Sequence, residues 1–212
     1  MNVVYEDADL ILCEKPAGVL SEEVGMPALL RAELGAEEIY CVHRLDKETG
    51  GLMVYARTGK AAAALSALIA EGRLHKEYWA VLEGEAPEEG VLRDLLYRDA
   101  AKNKSYVVQR MRRGVREAEL SFRREACREG LSLLRVTLKT GRSHQIRVQF
   151  ASRKLPVVGD RKYGSTHRDC GLALWSASLR FPHPRDGRPV SRELTPPGTW
   201  PWTLFPDILE AN

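Results

Sequence analysis

The chain has 212 residues, 44% of them hydrophobic and 29% charged, with a net charge of +3, the profile of an ordinary globular protein. No apolar run approaches the roughly 18–20 residues of a membrane helix, and the opening MNVVYEDADLILCEK lacks the basic-then-apolar layout of a signal peptide, so a cytoplasmic protein free of the membrane is expected. Cys13, Cys41, Cys127 and Cys170 form no CxxC pair and read as reduced thiols, and no metal is expected.

In chain order, Val3-Val4-Tyr5 and Leu10 to Cys13 read as strand, turn and strand. Lys15-Pro16-Ala17-Gly18 breaks that pattern, and Pro27 to Leu34 predicts a short helix ended by Gly35. His43 to Thr49 is a dense polar cluster that runs through Gly50-Gly51 into Leu52-Met53-Val54-Tyr55. This predicts a tight loop carrying Asp46, supported by a buried strand. Gly59 to Gly72, rich in alanine with Leu65, Leu68 and Ile69 at helical spacing, is the clearest helix. Arg73 to Leu82 predicts a strand with Lys76, Tyr78 and Ala80 on one face and Glu77, Trp79 and Val81 on the other.

Beyond an acidic surface turn at 87–90, residues 99–117 are basic around a short strand at Tyr106-Val107-Val108. They are either a solvated loop or an RNA contact. Glu119 to Arg124 and Leu131 to Lys139 alternate like a hairpin about Glu129-Gly130. Ser143 is placed to cap a helix over His144 to Ala151. Short apolar runs follow at 157–160 and 172–175, and the proline-rich tail from Phe181 is expected to be extended. Many short strands with few helices, without regular alternation, predict an α+β fold: a mixed, mainly antiparallel sheet with a few flanking helices. No repeat or linker divides the chain, so residues 1–212 are expected to form one domain.

Charge is unevenly spread. Residues 1–101 carry 10 Lys/Arg against 19 Asp/Glu, and residues 102–212 carry 22 against 10. Between Arg135 and Arg168 nine basic residues accompany a single acid, Asp160. The asymmetry points either to a face for a polyanion, nucleic acid foremost, or to acidic and basic faces that pair within the fold. There is no Walker loop, no GxGxxG after a strand, no HExxH and no GxSxG. The chemistry open to such a chain is what a carboxylate does unaided, such as attack at a sugar carbon.

HRLDKETGGL, residues 43–52, closely resembles the signature of the RluA-type pseudouridine synthases. Further segments resemble that family in the same order: Glu14 to Gly18, Lys76-Glu77-Tyr78, Thr140 to Arg147, Gly159 to Gly164, and Leu172 to Pro184. The resemblance implies the pseudouridine synthase catalytic fold and isomerisation of uridine in RNA to pseudouridine, with no cofactor and no metal. It makes Asp46 the nucleophile at the ribose C1′ and Arg147 its ion-pair partner, with Arg147→Ala expected to lose activity yet fold. It sets Tyr78 against the flipped-out base, its hydroxyl taking part in proton transfer at C5. Ile146 and Leu174 become an apolar floor. His43 and Arg44 become the residues that splay out the target nucleotide, and Arg142 and His144 orient the loop or contact RNA.

The implied partner is ribosomal or transfer RNA, met at a loop or single-stranded uridine because an A-form helix hides its bases. A monomer is expected. Two departures stand out. Gly50-Gly51 replaces the commoner Ser-Gly, which should only loosen the loop, and Trp175 stands where many relatives have histidine. No room is expected for the S4-type RNA-binding domain that many relatives carry. The competing readings are an N-glycosidase that releases the base and a non-catalytic RNA-binding or folding factor on the same scaffold.

Overall fold

The computed structural model describes residues 2–22 and 24–210. In chain order the elements are β1 (Val3–Glu6), β2 (Leu10–Lys15), α1 (Met26–Leu34), β3 (Tyr40–Cys41), β4 (Gly50–Ala56), α2 (Gly59–Ala70), β5 (His75–Glu83), β6 (Glu89–Asp99), β7 (Lys104–Val108), β8 (Val115–Arg128), β9 (Leu131–Leu138), α3 (Gln145–Ala151), β10 (Leu174–Pro182), β11 (Pro189–Glu193) and α4 (Pro206–Leu209), with a 3-10 turn at Trp202–Leu204. The expected α+β class, a mixed sheet with few helices, is what forms. Among the described residues no helix is long and apolar enough to cross a membrane. Two compact units result, Met1–Glu77 with Trp175–Leu194, and Tyr78–Leu174 with Thr195–Asn212, the division falling inside β5 and β10.

In the first unit the strands run β1-β2-β4-β10, with β3 beside β4 and β11 beside β10. The pairs β1–β2, β2–β4, β3–β4 and β10–β11 are antiparallel, and β4–β10 is parallel, which makes the sheet mixed. All seven residues of β4 are buried, as an uninterrupted apolar run predicts for a strand covered on both faces. α2 lies over it. Thr58 caps that helix by accepting the N–H of Ala61 on its hydroxyl, and Leu65 and Leu68 pack with Leu52 and Val54 of β4 and Leu179 and Phe181 of β10. Each such leucine contributes about 1.5–3 kcal/mol.

The double glycine belongs to β4 and not to the loop, which corrects the expectation that it merely loosens the turn. Gly51 has φ +113°, and a Cβ there would lie 2.3 Å from the carbonyl oxygen of Ser176. A Cβ on Gly50 would lie 2.5 Å from Cζ3 of Trp175, its register partner. The two departures noted in the sequence are therefore one packing solution, with the indole filling the space that a side chain at 50 would need.

In the second unit the order is β5-β9-β8-β6-β7. The β8–β9 turn is where the sequence predicts it, since Glu129 (φ 51°) and Gly130 (φ 74°) both take the positive φ of a two-residue hairpin turn. From Tyr78 to Leu82 β5 is buried on both faces, so its alternation does not separate an inner from an outer side. Val157 makes only a single bridge to Leu82, so the apolar run at 157–160 is no full strand.

Two further expectations are corrected, and one strand is new. β6 was not foreseen as a strand. Its apolar residues, Val91, Leu92, Leu95 and Leu96, follow helical spacing, and only pairing with β7 and β8 makes it extended. α3 begins at Gln145 behind His144, which sits at φ 53°, and no side chain caps it; Ser143 uses its carbonyl elsewhere. The tail is not simply extended. β11 pairs with β10, while 202–209 forms two short helical turns docked by Arg128, whose guanidinium bonds both oxygens of Asp207 at 2.8 Å.

Filling position 50 should overpack β4 against the indole. Gly50→Ser is expected to cost about 1–3 kcal/mol in denaturant unfolding. Adding Trp175→His should recover part of that loss, giving a coupling of about 1 kcal/mol in a double-mutant cycle.

Candidate active site

The loop bearing Asp46 leaves β3 and enters β4 within the first unit. Its backbone is fastened on either side of the carboxylate. The hydroxyl of Ser21 both accepts the N–H of Leu45 and donates to its carbonyl, each at 3.0 Å. The carbonyl of Lys47 accepts from the N–H of Gly18 at 2.7 Å and from Nζ of Lys15 at 3.1 Å. Thr49 N–H closes a turn onto the carbonyl of Asp46 at 3.0 Å. Asp46 is thus held, half-buried, between two anchored neighbours.

Lys15 is the root of this arrangement. Fully buried, its ammonium also donates to the carbonyls of Pro16 (2.9 Å) and Val19 (2.7 Å), so the Lys-Pro-Ala-Gly turn and the Asp46 loop share one cation. Burial lowers its pKa to about 8, against the opposing pull of Asp46 and Glu48.

His43 is buried, and its Nε2 accepts the N–H of Val54 at 3.1 Å, completing the edge of β4 beyond the end of the short β3. The proton of the neutral ring must then sit on Nδ1. Burial, with the charge of Lys76 nearby, lowers the pKa of His43 well below the ordinary value, and burial also lowers Lys76 to about 8. Arg44 is exposed and pairs with the equally exposed Glu22 at 2.8 Å, a contact weak enough for an anionic ligand to displace.

The other sequence-derived residues lie in the second unit: Tyr78 on β5, Leu174 at the first position of β10, and Arg142, His144, Ile146 and Arg147 along the loop and helix α3. Tyr78, His144, Ile146, Arg147 and Leu174 are buried, and Arg142 is exposed. The loop is braced by Gln145, whose Oε1 accepts from Thr140 Oγ1 (2.8 Å) and Arg142 N–H (3.0 Å) while Nε2 donates to the carbonyl of Glu119. His144 Nδ1 meets the hydroxyl of Tyr163 at 2.9 Å. Arg147 makes a two-pronged pair with Asp160, Nε to Oδ2 at 2.7 Å and Nη2 to Oδ1 at 2.9 Å, both side chains almost wholly buried. The N–H groups of Lys162 and Tyr163 also donate to Asp160.

Asp160, Lys15, Ser21, Gln145 and Tyr163 were given no site role from sequence, although all but Ser21 lie in segments that resemble the family. Asp160 carried a signal, as the single acid in a basic stretch; Ser21 carried none. Asp7, Asp9 and His183 bring three ligand atoms within 4.8 Å of one another, but Arg188 bonds Asp7 and Arg185 bonds Asp9. Guanidinium groups already serve those carboxylates, so the trio is a salt-bridged brace.

A family profile described as RNA pseudouridylate synthase matches residues 9–152. An uncharacterised RNA pseudouridine synthase of Haemophilus influenzae is 32% identical over 186 residues, covering 85% of this chain and 82% of that one. The ribosomal large subunit pseudouridine synthase D of Xanthomonas campestris pv. campestris is 33% identical over 215 residues, covering 90% and 64%. The structure of human RNA pseudouridylate synthase domain containing 4 aligns with a TM-score of 0.80 over 96% of this chain and 91% of that one, at 22% identity, a likeness of fold. The matched residues contain Glu14 to Gly18, the Asp46 loop, Lys76-Glu77-Tyr78 and the segment through Arg147, four of the six stretches that carried the resemblance to the RluA-type synthases, while Gly159 to Gly164 and Leu172 to Pro184 lie beyond them.

Replacing Lys15 by Met strands three carbonyls, each costing about 1–3 kcal/mol, so chemical denaturation should show a loss on the order of 3 kcal/mol. The folded-state pKa of Lys15 is depressed, so the cost of its buried charge is complete below about pH 8 and fades as pH rises towards 10.5. Wild type should therefore gain stability relative to Lys15→Met across that window. Arg147→Ala, expected to lose activity yet fold, leaves the Asp160 carboxylate buried without its guanidinium and should fold with a margin lower by about 3–5 kcal/mol. Removing Asp160 as well should restore part of the loss, read by thermal unfolding of the single and double variants.

Proposed function

The chain belongs to the RNA pseudouridylate synthase family and is an isomerase by that membership, and from this premise we propose that it converts uridine to pseudouridine in ribosomal or transfer RNA, with Asp46 as the nucleophile. One observation carries the reading. Asp46 sits on a loop whose carbonyls and N–H groups are secured at Leu45 and Lys47, so its carboxylate is presented on a preorganised backbone.

In the proposed reaction the carboxylate attacks C1′ as the N1–C1′ bond breaks. The freed base turns, C5 bonds to C1′ as the bond between C1′ and the Asp46 carboxylate breaks and returns its electron pair to the carboxylate, the C5 proton leaves, and N1 is protonated, so the product is an isomer of the substrate. Tyr78 lies against the base and takes part in the proton transfer at C5. Arg147, aligned by Asp160, supplies the counter-charge to Asp46, and Ile146 and Leu174 form the apolar floor. Arg44 meets phosphate and helps splay out the nucleotide, while His43, its ring committed to Val54, holds the turn from which Arg44 projects. Arg142 and His144 order the adjoining loop against RNA. The ribosomal alternative draws support from the relative named as a large-subunit synthase. On the same reading residues 1–212 work as one catalytic domain, monomeric and cytoplasmic, without cofactor or metal.

The test is tritium release from [5-³H]uridine-labelled ribosomal and transfer RNA, because forming the C5–C1′ bond must expel the hydrogen at C5. Wild type should release label and leave pseudouridine in the digested RNA. Asp46→Asn should be slower by on the order of 10³-fold or more. Free uracil in place of pseudouridine would make the chain a glycosidase, and equal release by Asp46→Asn would remove Asp46 from its role.

A further inference from the structure

We propose that Arg110, Arg112 and Arg113, on the loop from β7 into β8, and Arg116, at the start of β8, form with Arg142 a grip for the RNA backbone beside the Thr140–His144 loop; the proposal rests on an RNA substrate, as argued above. Arginines on the rest of the surface are widely engaged by carboxylates: Arg124 with Glu85, Arg128 with Asp207, Arg153 with Asp94 and Arg180 with Glu193. The four arginines of 110–116 differ. All are exposed, and among the described residues none has a carboxylate partner. Of the acids that follow Arg116 on β8, Glu117 makes no ion pair among the described residues, and Glu119 is already taken by Arg93 and Lys139. From Arg98 to Arg116 the chain carries seven basic residues and one acid, Asp99, which faces Lys102.

Unpaired like charges packed into seven residues repel one another, and a polyanion of regular spacing relieves that repulsion. The residue type selects further. A guanidinium binds phosphate through two parallel N–H groups and stacks on flat rings, and here Arg112 already lies over the ring of Tyr97 at 5.1 Å. Met111, among the arginines and 57% exposed, offers an apolar surface of the kind that wedges against bases. A flat acidic protein surface would use the charges and leave Met111 without a counterpart.

The grip is tied to the loop it adjoins. Arg142 Nε donates to the carbonyl of Glu117 at 2.9 Å, which lays Arg142 on β8 one residue from Arg116. On β7, Ser105 Oγ donates to the carbonyl of Ser143 at 2.7 Å, and Ser105 N–H donates to the hydroxyl of Tyr163, which itself meets His144. A strand held by the arginines therefore runs onto the loop bearing Arg142 and His144.

Binding of bulk transfer RNA and of poly(U) is measured across a salt series on the Asp46→Asn background, which prevents turnover. The triple variant Arg110→Gln, Arg113→Gln, Arg116→Gln should bind at least tenfold more weakly at low salt. The slope of log affinity against log salt should flatten by about 2–3, near one unit per lost phosphate contact. A charge-matched control, Lys60→Ala with Arg73→Ala and Lys154→Ala, should keep the parent slope, and Met111→Ala should weaken binding without changing it. An unchanged slope in the triple variant, or an equal flattening in the control, overturns the proposal. So does loss of poly-L-glutamate binding with RNA binding intact, which would assign the loop to an acidic protein. Tritium release by wild type separates the two readings. Release with an unchanged slope sinks the grip alone, and a flattened slope without release sinks the uridine chemistry alone.

Discussion

A single buried ammonium organises the first unit. Lys15 ends β2, and its Nζ gathers the carbonyls of Pro16, Val19 and Lys47. A charge buried this deeply is costly unless its donors are satisfied, and three carbonyl acceptors satisfy it. The same bonds hold two distant stretches in register, the Lys-Pro-Ala-Gly turn and the loop that carries Asp46. The cation is then a structural pin whose cost is offset by the order it imposes on the residues around the carboxylate.

The second unit repeats the logic with the opposite sign at its centre. The Asp160 carboxylate receives two bonds from Arg147 and two backbone N–H groups. It thereby fixes the guanidinium at the start of α3, a seven-residue helix with no capping side chain and too short to hold itself together. Both units so rely on a buried charge that is fully hydrogen-bonded to set the position of an ionic side chain beside it. The exposed arginines of 110–116 lack that provision, and this contrast separates charges that build the fold from charges available to a partner.

Legibility in the sequence tracked how local the cause was. The Ala-rich α2, the Gly35-terminated α1 and the Glu129-Gly130 turn follow from propensity, caps and φ requirements acting within a few residues, and they formed where expected. β6 did not announce itself, because Leu92 and Leu96 satisfy helical spacing and its extended form comes from β7 and β8. Ser143 is a good capping residue by type, yet its neighbour His144 takes the left-handed conformation and the cap is not made. The role of Gly50 was misjudged for the same reason, since its constraint is a ring 125 positions later in the chain, Trp175.

The sequence by itself determined the family, the α+β class and the ordered motifs carrying Asp46, Tyr78 and Arg147, because these are written as residue types at fixed local spacing. Only the tertiary structure decided what holds those motifs: that Lys15 and Ser21 secure the Asp46 loop, that Asp160 aligns Arg147, that Trp175 occupies the space beside Gly50, and that the ring of His43 is committed to Val54. Those partners lie from 11 to 125 residues apart, and hydrogen bonding and close packing act on distance in space, which no local pattern encodes.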